Sequence, residues 1–104
     1  MTERKQIPPN VILVGEKPFM AYMKSVNTLF RGKNLREIEI RARGRNIKKA
    51  IDIAESSKRK FCHDLNLNTK NVIIGTEEFT AQDRDTKEDK QVSVSVITII
   101  LNRL

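Results

Sequence analysis

Between Val11 and Ala42 the spacing of apolar residues changes twice, and that change restricts the chain to folds in which helices cover a sheet. Val11, Ile12, Leu13 and Val14 form an unbroken β-branched and aliphatic run closed by Gly15. Such a run is the pattern of a strand buried on both faces, and so of a central strand. Behind Pro18, which suits a first helical turn, Phe19, Tyr22, Met23, Val26, Leu29 and Phe30 recur at helical spacing and predict a helix over 18–30. Arg31, Gly32, Lys33 and Asn34 end it. Ile38, Ile40 and Ala42 then alternate with Glu37, Glu39, Arg41 and Arg43, as in a half-exposed strand with its charges on one face.

Gly44 breaks that strand, and Ile47, Ala50, Ile51 and Ala54 return to helical spacing, which predicts a second helix from about 45 to 63. Phe61 lies two heptads past Ile47, within about 40 degrees of it around the helix, on the core stripe. Val72, Ile73 and Ile74 open a third strand that runs towards Thr80, and 92–101, rich in Val, Ile, Thr and Ser, makes a fourth. The segment 82–90 has no apolar residue and reads as an exposed hairpin loop. The order strand, helix, strand, helix, strand, strand predicts an α/β sandwich: a four-stranded mixed sheet with both helices packed on it. Residues 1–9, polar and ending in Pro8 and Pro9, read as a flexible tail, and 10–104 as a single domain without internal repeats. A chain of 104 residues with 38% hydrophobic content builds one modest core, which favours burying further apolar area against another subunit.

Several function classes fall away. Cys62 is the only cysteine, so no intrachain disulfide forms, as suits a reducing compartment; a small packing residue is its expected role. The only histidine, His63, is its immediate neighbour, and adjacent helical residues point in different directions, a poor geometry for a nucleophile and its base. Cys62, His63 and Asp64 have no second cluster at metal-ligand spacing. No catalysis, cofactor, metal or small-molecule substrate is expected. The longest apolar runs, 11–14 and 96–101, are far short of the roughly 20 residues of a spanning helix. The first nine residues carry charges and two prolines where a signal peptide would be apolar, so the chain is expected to stay in the cytoplasm.

The charge distribution points to a polyanion. The net charge is +7. Within 31–49 stand Arg31, Lys33, Arg36, Arg41, Arg43, Arg45, Lys48 and Lys49 against only Glu37 and Glu39. Period two puts Arg41 and Arg43 on one strand face, while Arg45, Lys48 and Lys49 open the next helix, so these cations converge around Gly44. Cations at a helix start oppose the dipole, and an external polyanion supplies a reason for them. The bland alternative is a solvated surface partly paired with Glu37 and Glu39. Gly15, Glu16, Lys17 and Pro18 join a strand to a helix as phosphate-binding turns do, without a Walker signature, so Lys17 is either a solvated lysine or a phosphate contact. In 82–90, Arg84, Lys87 and Lys90 are outnumbered by Asp83, Asp85, Glu88 and Asp89, and the residues themselves indicate solvation.

From Asn10 to Leu101 the sequence resembles the Alba family of small archaeal chromatin proteins. The stretches that carry the likeness are Asn10 to Met20, then Ile38 to Asp52 with its Ala42-Arg43-Gly44-Arg45 core, and Arg59-Lys60-Phe61. The resemblance implies a fold like the C-terminal domain of bacterial translation initiation factor three, and a dimer. It implies phosphate contacts to double-stranded DNA from Lys17, Arg43 and Arg45, hairpin arms along the minor groove that would use Arg84, Lys87 and Lys90, and a dimer–dimer contact at Phe61. It also opens RNA as an alternative partner, including in ribonuclease P-like particles, and a heterodimer with a more basic relative. Two departures temper binding. Glu16 stands where acetylatable family members carry a lysine, which removes that control and weakens phosphate binding locally, and the arm is acidic.

Overall fold

The computed structural model describes residues 7–103. Most of the tail assigned to 1–9 therefore lies outside the described residues. At its end the Pro8 carbonyl accepts the Val11 N–H at 3.1 Å, which closes a turn into the first strand.

The elements run β1 (Val11–Leu13), α1 (Phe19–Asn27), β2 (Glu37–Arg43), α2 (Ile47–Ser56), β3 (Leu67–Gln82) and β4 (Asp89–Arg103). One four-stranded sheet holds them in the order β1-β2-β4-β3. β1 and β2 are parallel, as a crossover through α1 requires. β4 lies antiparallel to both β2 and β3, so β2 and β3 share a direction with β4 between them. The mixed sheet and the helical crossovers follow the sequence pattern, but the expected central position of β1 does not. β1 is an edge strand: Ile12 and Val14 are buried in the core, whereas Leu13, on the opposite face, is 51% exposed. Three residues are too few for an unbroken apolar run to distinguish one covered face from two.

Both helices cover the same face. Ile38, Ile40 and Ala42 of β2 and Ile97, Ile99 and Leu101 of β4 meet Tyr22, Met23 and Val26 of α1 and Ala50, Ile53 and Ala54 of α2. Glu37, Glu39, Arg41 and Arg43 alternate with the buried β2 residues and so stand on the helix-free face.

Each helix ends in a π-turn, over Thr28–Gly32 and Ser57–Phe61. After α1, Asn34 takes a left-handed conformation with φ of 53°, and the Arg103 guanidinium donates to the Phe30 carbonyl at 3.1 Å, a cation placed where the helix dipole is negative. After α2, the Cys62 N–H reaches back five residues to the Ser57 carbonyl at 2.9 Å. The extra residue shifts the helical phase by one position. Cys62 therefore enters the core, fully buried, and Phe61, which a regular helix would put there, is 48% exposed. Burial raises the Cys62 thiol above its usual pKa, as expected of a packing cysteine.

β3 and β4 continue past the helices as a two-stranded arm. The strands run further than the sequence indicates: Gln82 pairs with Asp89, and only 83–88 lies outside them. The Asp83 carboxylate holds the turn through the N–H groups of Asp85 and Thr86, and a Lys90–Asp83 ion pair at 2.9 Å closes its base. Charged, alternating residues are compatible with a solvated ladder as well as with a loop, which is why residue character does not mark the strand ends.

Candidate nucleic-acid interface

Gly44 sets the geometry of the basic tract. Its φ of 57° is a left-handed conformation that lets the chain leave β2 and enter, through one 3-10 turn (Gly44–Asn46), the start of α2. Arg41 and Arg43 end the strand on the helix-free face, and Arg45 follows on the turn; all three are exposed. Arg41, Arg43, Gly15 and Leu13 line one concavity of about 530 Å³ on that face, floored by Val96 and Thr98 and bounded by Glu77.

Each arginine has an acidic neighbour. Arg41 pairs with Glu39 at 3.1 Å, Arg43 with Glu77 at 3.7 Å, and Arg45 with Glu16 at 2.6 Å. Glu39 is a partner visible in the sequence, two residues away on the same strand face. Glu77 is not, because its approach to Arg43 depends on the register of β3 against β4, where Glu77 stands opposite Val94 and Arg43 opposite Val96. The Glu16 carboxyl is held below the usual carboxylate range, first by its hydrogen bond to Arg45 and then by the Arg45 charge, with burial opposing.

The Gly15–Lys17 turn is built from side chains to which the sequence pattern gives other places. Tyr22 Oη, at the end of a core side chain, accepts the N–H of Gly15 at 2.7 Å and of Lys17 at 3.2 Å. Lys49 Nζ donates to the carbonyls of Gly15 and Lys17 and lies 5.1 Å from the Tyr22 ring centroid. Two backbone donors that an anion would use are thus already satisfied. Lys49, expected among the contact residues, is half-buried and tethers the turn, while the Lys17 side chain remains exposed. Lys48 is exposed one position earlier and pairs with Asp52 at 2.8 Å.

The remaining candidates are not drawn into this cluster. Lys90 lies six residues along β4 from Val96, the partner of Arg43, a separation of roughly 20 Å at about 3.3 Å per residue. Arg84 and Lys87 are exposed in the turn beyond it. Phe61 is on the surface at the end of α2, where periodicity alone assigns it to the core. Ile74 is 78% exposed on β3 and, with Ile47, Thr76 and Ile97, borders a separate concavity of about 490 Å³. Among the described residues no helix is long and apolar enough to cross a membrane.

This geometry has relatives. The Alba family model matches residues 10–74. The chain is 37% identical over 94 residues to the DNA/RNA-binding protein Alba of Picrophilus torridus, covering 90% of this chain and 96% of that one. It is 33% identical over 92 residues to the protein of the same name from Methanococcus maripaludis, covering 88% and 96%. Among solved structures, Alba from Thermoplasma volcanium superposes with a TM-score of 0.75 at 38% identity, covering 90% of this chain and all of that one. ALBA1 from Trypanosoma brucei shares the fold at a TM-score of 0.65 and 18% identity, covering 94% of this chain and 72% of that one. The family match takes in the β1–α1 turn, the Arg43-Gly44-Arg45 junction and all of α2, and the chain belongs to the Alba family.

Proposed function

We propose that this chain is a dimeric, largely sequence-independent double-stranded DNA-binding protein of chromatin, which coats and compacts DNA through phosphate contacts and acts on the chromosome without catalysis. The observation that carries the reading is the exposure of Arg41, Arg43 and Arg45 around one glycine junction, with Lys17 on the adjoining turn. Guanidinium groups bind phosphate through paired N–H donors, and phosphates carry no direct base information. Lys48 extends the surface, and Lys49 supports it by holding the turn that presents Lys17. Arg84, Lys87 and Lys90 add a distal contact whose strength is limited by the arm's carboxylates. Exposed Ile74 and the apolar concavity beside it fit a second copy of the chain, and Phe61 fits contact between dimers.

RNA is the second reading, favoured by one observation: two similar relatives bear names that include both DNA and RNA. A heterodimer with a more basic relative fits the acidic partners of the arginines. The test is binding of random-sequence duplex and of structured RNA across a salt series. Neutralisation of several phosphates implies that affinity falls by orders of magnitude between roughly 50 and 200 mM salt. Replacing Arg43 and Arg45 by alanine should weaken binding alike on every sequence and flatten the log–log slope by about 0.9 for every phosphate no longer neutralised. Affinity independent of salt would refute the DNA and RNA readings alike, and a clear preference for RNA would reverse their order.

A further inference from the structure

Glu16 and Arg45 are both exposed, and an exposed ion pair is ordinarily weak because two long side chains must be held in one geometry. This pair is better prepared. The backbone on either side of Glu16 is tied down: Tyr22 Oη holds the N–H groups of Gly15 and Lys17, and Lys49 Nζ holds their carbonyls. Glu16 is the apex of that clamped turn, with its carboxylate 2.6 Å from Arg45 Nη2. A carboxylate and a phosphate compete for the same guanidinium donors.

We propose that Glu16 is an internal phosphate surrogate on Arg45, so that nucleic acid engages this corner only by exchanging a phosphate for the carboxylate. The proposal rests on the reading of the basic surface given above. One consequence separates it from a general effect of negative charge. Affinity is held down by an ion pair that must be undone at Arg45, so removing the carboxylate has its full effect only while Arg45 is present.

The experiment compares the wild-type chain, E16Q, R45A, the double variant E16Q/R45A and E55Q, by fluorescence anisotropy on random-sequence duplex DNA and an RNA hairpin at several salt concentrations. Glu55 supplies the charge-matched control, since its partner is Lys58, which has no part in the proposed surface. E16Q should bind about two- to fivefold more tightly near 100 mM salt, the range an exposed ion pair commands. E55Q should match wild type, and E16Q/R45A should bind no more tightly than R45A. An E16Q affinity equal to that of E55Q, or a gain that persists without Arg45, would overturn the surrogate while leaving the binding surface intact. Absence of binding by every variant to both nucleic acids would overturn the surface reading beneath it.

Discussion

Replacing Gly44 by alanine isolates the one backbone feature on which the basic junction depends. A Cβ at this position would meet Val94 Cγ1 at 3.7 Å, an ordinary van der Waals contact, so crowding contributes nothing. The cost comes from the φ of 57°, which is about 1–2 kcal/mol unfavourable for a residue with a Cβ. Alanine recovers about 0.4–1 kcal/mol by restricting the unfolded chain. The difference is a net destabilisation of about 1 kcal/mol, or a Tm lower by roughly 4–8 °C for a domain of this size. Gly32 is the control: its φ is not in the left-handed region, and its added Cβ would meet Thr28 Cγ2 at 3.6 Å. Gly32→Ala should therefore be neutral or stabilising by up to about 1 kcal/mol. Thermal and urea unfolding at one fixed protein concentration read both variants, the fixed concentration being needed because association shifts Tm. If Gly44→Ala is as stable as Gly32→Ala, the left-handed junction is not what aims Arg43 and Arg45 along different elements, and the geometric account of the site fails.

Three further outcomes follow from the structure. I74D should dissociate the proposed dimer: burial of an isoleucine side chain contributes about 1.5–3 kcal/mol, two copies meet at a twofold interface, and the dissociation constant should rise by about two to four orders of magnitude. Sedimentation velocity reads this, and an I74D dimer as tight as wild type would remove Ile74 from the interface. F61A should lower stability by less than about 1 kcal/mol in urea unfolding, against the roughly 3–5 kcal/mol of a core phenylalanine, because the π-turn leaves it on the surface; a core-sized loss would refute that placement. Acidification should destabilise the fold. Hydrogen bonds from Arg45, Arg31 and Lys90 lower the pKa values of Glu16, Asp64 and Asp83, respectively. Carboxyls with folded pKa values below their unfolded ones contribute stability that is complete above the ordinary carboxylate range and lost as pH falls through the lowered values. Tm should be flat from about pH 7 to 5 and fall below about pH 4, and a Tm that rose between about pH 5 and 3 would contradict the pairing.

The elements are legible in the sequence where a periodic apolar pattern meets a single covered face. Ile38, Ile40 and Ala42 against Glu37, Glu39, Arg41 and Arg43 is such a case, and β2 has that alternation residue by residue. The stripe of α1 is another, since Tyr22, Met23 and Val26 are all buried. β1 reads wrongly as central because strand order is decided by the crossovers and by the insertion of β4 beside β2, neither of which leaves a mark on residues 11–14. The arginines of the candidate site are visible as local charge, but two of their acidic partners come from other elements: Glu77 from β3 and Glu16 from the β1–α1 turn.

Phe61 and Cys62 show where a periodic reading has to stop. The same spacing that identifies α2 also assigns Phe61 to the core, and the assignment would stand if the helix stayed regular to its end. Ser57 marks where it does not: it is fully buried, with its hydroxyl donating to the Ile53 carbonyl at 2.8 Å. Its own carbonyl then accepts the Cys62 N–H at 2.9 Å, one residue later than an α-helix allows. The inserted residue exchanges the roles of two neighbours. The small thiol fills the core, and the aromatic ring is left at the surface beside Lys58, Arg59 and Lys60 of the same turn. Exposure of a single aromatic is ordinary on a protein surface, and Phe79 is exposed to a similar degree on the arm. The π-turn thus removes Phe61 from the core and leaves its ring available for the contact between dimers proposed above.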